Sequence, residues 1–261
     1  MTIAGLEVGP EQPCRVVAEI SNNHNGDLGN ALVLIDECAD AGVDFIKFQA
    51  YTAEELVALR GDGKAPEPWG SQGWTMRRLY DKAKTPLHWF PKLAEKCAHR
   101  GVPWFASAFG LGSFTFMEAM GCPVYKLAAL DYGKRSLRQM VERAGKPIIR
   151  SCPGNTRPGP ARHRVGESPL VRLKHPTALW CPPGYPQDVT GLRAAMRRFD
   201  GFSFHGRDPF VPALAAAYGA SMVEVHVQLD DVPSELEANV SLTVSQLAEL
   251  VTMCKTARRV A

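Results

Sequence analysis

Two lysines that each lie inside a short apolar run are the residues of this sequence best suited to bind an anion. They are Lys47 and Lys126, and the hydroxyl groups of Ser107 and Ser151 end two further apolar runs. A lysine among apolar residues loses much of its hydration, and a bound anion restores the lost interactions. Because ammonium and hydroxyl donors match the oxygens of a tetrahedral anion, we predict that these four residues form a cradle for a phosphate or a carboxylate.

An ordinary ion pair explains Lys47 equally well. Its partner would be Glu19 or Asp131, both of which are predicted to lie near the ends of apolar strands. A buried ammonium group that is paired with a carboxylate needs no ligand. The sequence leaves this alternative open. It contains no P-loop and no GxGxxG pattern, so nucleotide binding through those motifs has no support.

Two histidines, His205 and His226, end neighbouring apolar runs at equivalent heights. Their imidazoles could converge on one divalent cation, with water and substrate oxygens completing its coordination shell. Taken singly, each histidine is more simply explained as a hydrogen-bonded core residue. The sequence has no HExxH motif and no Cys/His cluster at zinc spacing, which argues against a structural zinc site.

The elements that must position these residues are short apolar strands that alternate with amphipathic helices from Arg15 onward. Eight strands are predicted, over Arg15–Ser21, Phe45–Ala50, Pro103–Ser107, Val124–Leu127, Pro147–Ser151, Ala178–Cys181, Gly201–His205 and Met222–Val227. This number predicts an α/β fold, a (β/α)8 TIM barrel, although a doubly wound sheet with extra strands would give a similar pattern. In a barrel, functional residues lie at the C-terminal ends of the strands, where the polar residues of this sequence collect.

Three helices are clear in the sequence. One is predicted over Leu28–Ala41 and another over Leu242–Arg259. A third is predicted over His88–Arg100, with Thr85 as its N-cap and Pro86 as its first helical residue.

Two segments interrupt the alternation within what we predict to be a single domain, residues 1–261. Residues 52–84 form a Gly/Pro-rich insertion that would lie on the active-site face and could act as a lid. Residues 152–175 form a basic loop whose spaced prolines exclude the expected fifth helix. That loop is either an ordinary solvated loop or a basic flap over an anionic ligand or partner.

The composition excludes several classes of protein. The 30 basic and 27 acidic residues give a net charge of +3, so nucleic acid is not the default partner. The seven cysteines include no CxxC pair, which indicates reduced thiols. No signal peptide and no membrane-spanning run is present, so we expect a soluble, cytoplasmic protein.

Several motifs occur together in a fixed order along the chain. They are Glu19-Ile20, Asn23-His24-Asn25-Gly26, Ile46-Lys47-Phe48-Gln49, Tyr125-Lys126, Gly145-Lys146-Pro147-Ile148-Ile149, Gly184-Tyr185-Pro186, His205 and the strand from Glu224 to His226. In order and spacing, this set resembles the N-acetylneuraminate (sialic acid) synthase family over nearly the whole chain. The resemblance implies a TIM-barrel transferase that condenses phosphoenolpyruvate with the open-chain aldehyde of a sugar such as N-acetylmannosamine. Phosphate is released, and the product is a 2-keto-3-deoxy sugar acid.

The resemblance also implies roles for individual residues. Phosphoenolpyruvate would be bound by Lys47, Ser107, Lys126 and Ser151, and the sugar by Glu19, Asp131, Tyr185 and Glu237, with Ser203 as a further substrate-binding candidate. The two lysines and Glu19 are the catalytic candidates, and the proton carrier would be Glu19 or a metal-bound water. His205 and His226 would hold a divalent metal, Mn²⁺ or Mg²⁺, as a Lewis acid for the aldehyde.

The sequence also departs from the family pattern. Pro183 replaces an expected Asn, Phe204 replaces an expected Asp, and Trp180 stands where a His is usual. Family members generally continue into a C-terminal antifreeze-like domain that supplies an arginine to the sugar across a swapped dimer, whereas this sequence ends at Ala261. The phosphoenolpyruvate and metal residues are therefore better preserved than the sugar residues, and the acceptor need not be N-acetylmannosamine.

Two other functions are left open. The chain could be a non-catalytic barrel homologue that binds a sugar acid or a protein partner. It could also be an aldolase of another type, in which Lys47 or Lys126 forms a Schiff base and has a lowered pKa. The expected partners of the synthase are its small-molecule substrates and, by resemblance, a second copy in a homodimer.

Overall fold

Eight parallel strands form a closed barrel in the computed structural model, which describes residues 2–131, 133–154, 177–184 and 187–257. The barrel strands are β1 (Arg15–Glu19), β2 (Phe45–Ala50), β3 (Trp104–Ala108), β4 (Tyr125–Leu127), β5 (Ile148–Cys152), β6 (Thr177–Trp180), β7 (Gly201–Phe204) and β8 (Met222–Gln228). Each strand pairs with its neighbours in chain order, and β8 pairs with both β7 and β1. This closure confirms the predicted TIM barrel and excludes the doubly wound sheet, which stays open at its edges.

Nine α-helices are present in the described part of the chain. They are α1 (Leu28–Asp40), α2 (Ala53–Arg60), α3 (Met76–Ala83), α4 (Phe90–His99), α5 (Leu111–Ala119), α6 (Arg135–Arg143), α7 (Leu192–Met196), α8 (Phe210–Ala217) and α9 (Val244–Thr256). A short antiparallel hairpin, Thr2–Ile3 with Leu6–Glu7, precedes the barrel, and strand β9 (Ser241–Thr243) adds to β8 in parallel. Short 3₁₀ turns cover Gly70–Gln72, Leu87–Trp89, Ala129–Asp131 and Ala238–Val240.

The strand register divides the barrel interior into an apolar layer and a polar layer. Residues paired in parallel strands project to the same side, and the side alternates along each strand. The lower layer is apolar, and within it the rings of Phe45 and Phe105 meet edge to face at 5.9 Å. A Cβ atom at Gly201 would lie 2.1 Å from the carbonyl oxygen of Met222, so the lower layer requires glycine there. One step toward the C-terminal ends, the register sets Glu19 beside Lys47 and beside His226.

The N-cap that was predicted at Thr85 is wrong. The Thr85 hydroxyl accepts a hydrogen bond from Nε2 of His24 at 3.1 Å and donates to the carbonyl oxygen of Ser21 at 3.4 Å. A 3₁₀ turn without a side-chain cap follows Pro86, and helix α4 begins at Phe90. These tertiary partners orient the Thr85 hydroxyl toward residues 21 and 24, so its oxygen does not accept from the N–H groups of the following turn.

The last helix also starts later than predicted, because Ser241–Thr243 forms β9. Thr243 then caps α9 through a capping box, in which its hydroxyl accepts from the N–H of Gln246 at 3.3 Å and the Gln246 side chain accepts from the N–H of Thr243 at 3.0 Å. Pairing with β8 gives the backbone of residues 241–243 hydrogen-bond partners that an extension of the helix would not provide.

Residues 52–84, which we call the cover segment, lie across the C-terminal side of the barrel as two helices joined by a loop. Glu55 on α2 accepts a hydrogen bond from the N–H of Ser113 on α5 at 2.9 Å. At the other end of the segment, Lys82 on α3 pairs with Glu235 at 2.7 Å. A small apolar cluster beneath the segment contains Tyr51, Ala53, Leu56, Tyr80 and Phe109. The insertion is therefore attached to the barrel at both of its ends.

The basic loop lies almost wholly outside the described residues, of which this region includes Cys152, Pro153 and Gly154. The replacement of the fifth helix consequently stays a prediction. All seven cysteines are buried thiols, as the absence of CxxC pairs indicated. Among the described helices, none has the length and apolar character needed to cross a bilayer.

Candidate active site

The centre of the polar layer is Glu224 on β8, which joins the two predicted anion-binding lysines. Its Oε1 atom lies 2.8 Å from Nζ of Lys126 on β4 and 3.5 Å from Nζ of Lys47 on β2. The hydroxyl of Ser203 on β7 donates to the same oxygen at 3.0 Å. The remaining oxygen, Oε2, accepts no hydrogen bond from the described residues and is buried. Because β4 and β8 are on opposite sides of the barrel, these contacts span its interior.

Glu19 is the second carboxylate of this cluster and pairs directly with Lys47. Its Oε1 atom accepts a hydrogen bond from the backbone N–H of Ser21 at 2.9 Å, which fixes the carboxylate at the end of β1. Of the two partners that the sequence allowed for Lys47, the structure therefore selects Glu19. The structure thus shows the ion pair that the sequence left open, and each ammonium group has three protons, of which its carboxylate partners use only some.

The pKa values of this cluster are shifted by burial and by the neighbouring charges. Burial lowers the pKa of Lys47 to about 8, although Glu224 acts in the opposite direction. Burial also acts to raise the pKa of Glu224, but Lys126 and Lys47 outweigh it and hold that pKa well below its usual value. Glu224 is therefore an anion at neutral pH, and Lys47 changes its charge slightly above neutral pH.

Ser151 and Ser107 are buried at the ends of β5 and β3, on the same interior face as the lysines. The Ser151 hydroxyl has no hydrogen-bond partner among the described residues, although it is fully shielded from solvent. A buried hydroxyl without a partner costs about 1 to 3 kcal/mol, so a partner is expected in the working state of the site. This hydroxyl can donate to an anionic ligand, whereas Oε2 of Glu224 can only accept a hydrogen bond.

His205 and His226 meet at the mouth of the barrel, where their ring centroids are 4.9 Å apart. The Nδ1 atom of His226 lies 2.8 Å from Oε2 of Glu237. The Nδ1 atom of His205 lies 3.0 Å from the side-chain nitrogen of Gln187. The structure therefore brings the predicted pair together. The Nδ1 atom of one ring faces a carboxylate, which accepts hydrogen bonds, and that of the other faces an amide NH₂ group, which donates them.

A divalent metal fits His226 better than His205. A carboxylate next to Nδ1 requires a proton on that nitrogen, which leaves the lone pair of Nε2 for a metal, as in many metal sites. Burial acts to raise the pKa of Glu237, but His226 outweighs it and the net pKa is lowered, so the carboxylate is charged. His205 accepts from an amide at Nδ1 and in its neutral form carries its proton on Nε2, so it offers a metal no lone pair there. Among the described residues, no group of three or more His, Cys, Asp or Glu side chains forms a metal cluster.

Asp131 does not join the lysines. It is buried at the end of β4, and both of its oxygens accept hydrogen bonds from Arg60 on α2, at 3.0 Å and 2.5 Å. Arg60 also lies over the ring of Phe109, 5.2 Å from its centroid. The carboxylate that was predicted to contact the sugar therefore anchors the cover segment. A sugar hydroxyl could donate only to the lone pairs of Asp131 that Arg60 does not use.

Three other positions singled out in the sequence have different outcomes. Tyr185 lies outside the described residues. Ser203 donates to Glu224, and its role in substrate binding stays a prediction. Phe204 alternates with Ser203 along β7 and packs against Phe202 at 5.7 Å, outside the barrel interior. The exchange of a family carboxylate for Phe204 thus affects the packing of the outer layer.

The sequence analysis assigned no role to Glu224 and did not find Arg60 or Gln187. Glu224 was visible as a polar residue two positions before His226, and strand alternation alone would have placed it on the interior face. Arg60 lies in the insertion and Gln187 in the loop after β6, and nothing in their spacing indicates their partners, which are 71 and 18 residues away.

The chain is similar to several known proteins. The NeuB family model matches residues 34–261. Pseudaminic acid synthase of Helicobacter pylori is 30% identical over 84% of this chain and 67% of its own length, and N-acetylneuraminate-9-phosphate synthase of Homo sapiens is 26% identical over 95% of this chain and 71% of its own length. The crystal structure of N-acetylneuraminic acid synthetase from Leptospira borgpetersenii, in complex with citrate, superposes with a TM-score of 0.77. It is 26% identical and covers 97% of this chain and 87% of that one.

Proposed function

Because the chain belongs to the NeuB family, as the sequence motifs indicated, we propose that it condenses phosphoenolpyruvate with an N-acetylmannosamine-like sugar aldehyde. The products are a 2-keto-3-deoxy sugar acid and inorganic phosphate. The named relatives are synthases, so the chain is an enzyme of the carbon–carbon bond-forming transferase class. The activity test below decides between this synthase and the alternative, a non-catalytic homologue.

One observation carries the proposal: two lysines and a partnerless hydroxyl converge inside a closed barrel. Lys47 and Lys126 share Glu224, and the buried hydroxyl of Ser151 has no partner among the described residues. A dianionic or trianionic ligand such as phosphoenolpyruvate would accept from both ammonium groups and from the hydroxyl. Such charge-assisted hydrogen bonds are about twice as strong as neutral ones.

In the proposed reaction, C3 of phosphoenolpyruvate bonds to the aldehyde carbon, whose oxygen takes up a proton. Water then adds to C2 and loses a proton, and the resulting hemiketal phosphate breaks its C2–O bond to phosphate as the ketone forms. We assign the acceptance of that water's proton to Glu19, whose carboxylate Lys47 and the N–H of Ser21 hold at the end of β1. The lysines stabilise the charge on the departing phosphate.

The requirement for Mn²⁺ or Mg²⁺ stays a prediction. Such an ion would act as a Lewis acid for the aldehyde oxygen when bound. His226, supported by Glu237, fits a ligand of that ion, whereas His205 does not while Gln187 holds its Nδ1 atom. No step of the proposed reaction is therefore assigned to a metal.

The test is phosphate release from phosphoenolpyruvate across a panel of aldehydes, with and without Mn²⁺ or Mg²⁺. The panel runs from N-acetylmannosamine and its relatives to shorter sugars, and the nine-carbon or shorter keto acid is identified by mass spectrometry. We expect release that depends on one class of aldehyde. Lack of phosphoenolpyruvate binding by calorimetry would overturn the proposal, and binding without release by any aldehyde would overturn the acceptor class.

A further inference from the structure

The side-chain carboxamide of Gln187, in the loop after β6, contacts His205 at two points. The oxygen Oε1 of Gln187 accepts a hydrogen bond from the backbone N–H of His205 at 2.9 Å. Its Nε2 group lies 3.0 Å from the carbonyl oxygen of Pro182 and 3.0 Å from Nδ1 of His205. Longer contacts join it to the carbonyl oxygen of Ser203 at 3.4 Å and to Sγ of Cys181 at 3.8 Å, and that Sγ atom lies 3.9 Å from Nδ1 of His205. One side chain therefore contacts both the backbone and the ring of the same histidine.

The orientation of this amide is determined by its other partners. The N–H of His205 needs an acceptor, and the carbonyl of Pro182 needs a donor. Exchanging the oxygen and nitrogen of Gln187 would place N–H against N–H and carbonyl against carbonyl. The NH₂ group must therefore face Nδ1 of His205, and Nδ1 must act as the acceptor.

The protonation of His205 follows from this contact. An imidazolium ring would carry a proton on both nitrogens and would set its Nδ1–H against the NH₂ group of Gln187, so the contact at 3.0 Å requires the neutral ring. A neutral imidazole has one proton, and if Nδ1 accepts a hydrogen bond, the proton is on Nε2. His226 has the reverse arrangement, because Glu237 faces its Nδ1 atom at 2.8 Å.

We propose that Gln187 is a positioning residue that fixes His205 as the Nε2–H tautomer, so that the two histidines of the mouth have different roles. His205 presents a hydrogen-bond donor, and His226 presents a lone pair. One consequence rests on the proposed condensation. There, the Nε2–H group of His205 would donate a hydrogen bond to the aldehyde oxygen and stabilise the negative charge that develops on it. A divalent ion shared by both Nε2 atoms would require Gln187 to release Nδ1.

The tautomer can be measured without turnover. Long-range ¹H–¹⁵N NMR correlation spectra of the ¹⁵N-histidine protein separate a protonated ring nitrogen from a bare one, and a His205→Gln variant assigns the signals. We expect the proton on Nε2 of His205 and on Nδ1 of His226. A proton on Nδ1 of His205 would overturn the proposal, whether or not the condensation occurs.

Variants at Gln187 supply the second test. Gln187→Glu replaces the donor with a carboxylate, so the proton of His205 should move to Nδ1, and the affinity for Mn²⁺ should rise about tenfold, the size of effect seen for residues that orient metal ligands. Gln187→Leu removes both the donor and the acceptor of the amide, so His205 should be a mixture of tautomers in a folded protein. Gln72→Glu adds the same charge at an exposed site and should change neither the tautomer of His205 nor the affinity for Mn²⁺. Unchanged tautomers in both Gln187 variants would contradict the proposal.

Discussion

Lys126 on β4 and Glu224 on β8 form an ion pair across the interior of the barrel, with 2.8 Å between Nζ and Oε1. The side chain of Lys126 is 2% exposed and that of Glu224 is 4% exposed, so the pair is shielded from solvent. Glu224 also lies 3.5 Å from Lys47, which pairs with Glu19 as well, so two carboxylates balance the two lysines. An anionic substrate would have to share the lysines with these carboxylates, so we expect the pair to affect substrate affinity as well as stability.

Replacing Glu224 with Gln should reduce stability. The change leaves two buried lysines without their shared counterion, and removal of one partner of a buried pair costs about 3 kcal/mol. Urea denaturation should show this loss, and phosphoenolpyruvate or inorganic phosphate should restore part of it by supplying negative charge. Glu249→Gln, at an exposed position on α9, is the matched control. Equal stability of the two variants would show that Glu224 does not balance the lysines.

Replacing Lys47 with Ala should weaken phosphoenolpyruvate binding. A hydrogen bond to a charged group contributes about 1.5 to 3 kcal/mol, so the KM for phosphoenolpyruvate should rise by roughly 10-fold to 100-fold. The KM for the aldehyde should change less. Lys92→Ala, an exposed lysine on α4, should behave as the unmodified protein. A larger change in the aldehyde KM would reverse the assignment of Lys47.

Activity should fall as the pH rises through about 8, the value to which burial lowers the pKa of Lys47. Below that pH the lysine is charged and attracts the phosphate or carboxylate of the substrate, and above it the charge is lost. The pH profile of kcat/KM reports the free enzyme, so the descending limb should appear there. Lys47→Arg keeps its charge at all these pH values and should shift the limb upward. An unshifted limb in that variant would assign the titration to another group.

Much of the fold could be predicted from the sequence, because each strand is an apolar run that ends near a polar residue. Strand β2 was predicted with its observed bounds, and the other strands differ by a few residues at their ends. The lysine and histidine groups were also found, since strand ends in a barrel converge on one face. Thr85, Arg60 and Gln187 could not be assigned, because their partners are brought together by tertiary contacts that no local pattern encodes.

Reduction with borohydride should not trap a covalent adduct on Lys47 or Lys126. The lowered pKa of Lys47 is a property that Schiff-base lysines share, so the aldolase alternative needs a direct test. Against it, Glu224 favours the charged, non-nucleophilic ammonium form of Lys47, and Lys126 is paired with the same carboxylate. The intact mass should stay unchanged after treatment with pyruvate or the sugar aldehyde, with a Schiff-base aldolase as the positive control. An added mass that maps to either lysine would favour the aldolase over the synthase.

Removing the contact between Arg60 and Asp131 should loosen the cover segment. Arg60→Leu leaves a buried carboxylate without its bidentate partner, so the free energy of unfolding should fall by about 3 kcal/mol. Asp131→Leu should cost a similar amount, and the double variant should cost less than the sum, because each single change leaves the other charge unpaired. Arg77→Leu, which breaks exposed pairs with Glu54 and Asp62 in the same segment, should cost at most about 1 kcal/mol. Limited proteolysis within residues 61–75 should accelerate in Arg60→Leu but not in Arg77→Leu. If the two variants were cleaved at the same rate, Asp131 would be free to act as the predicted sugar ligand and would not serve as the anchor of the cover segment.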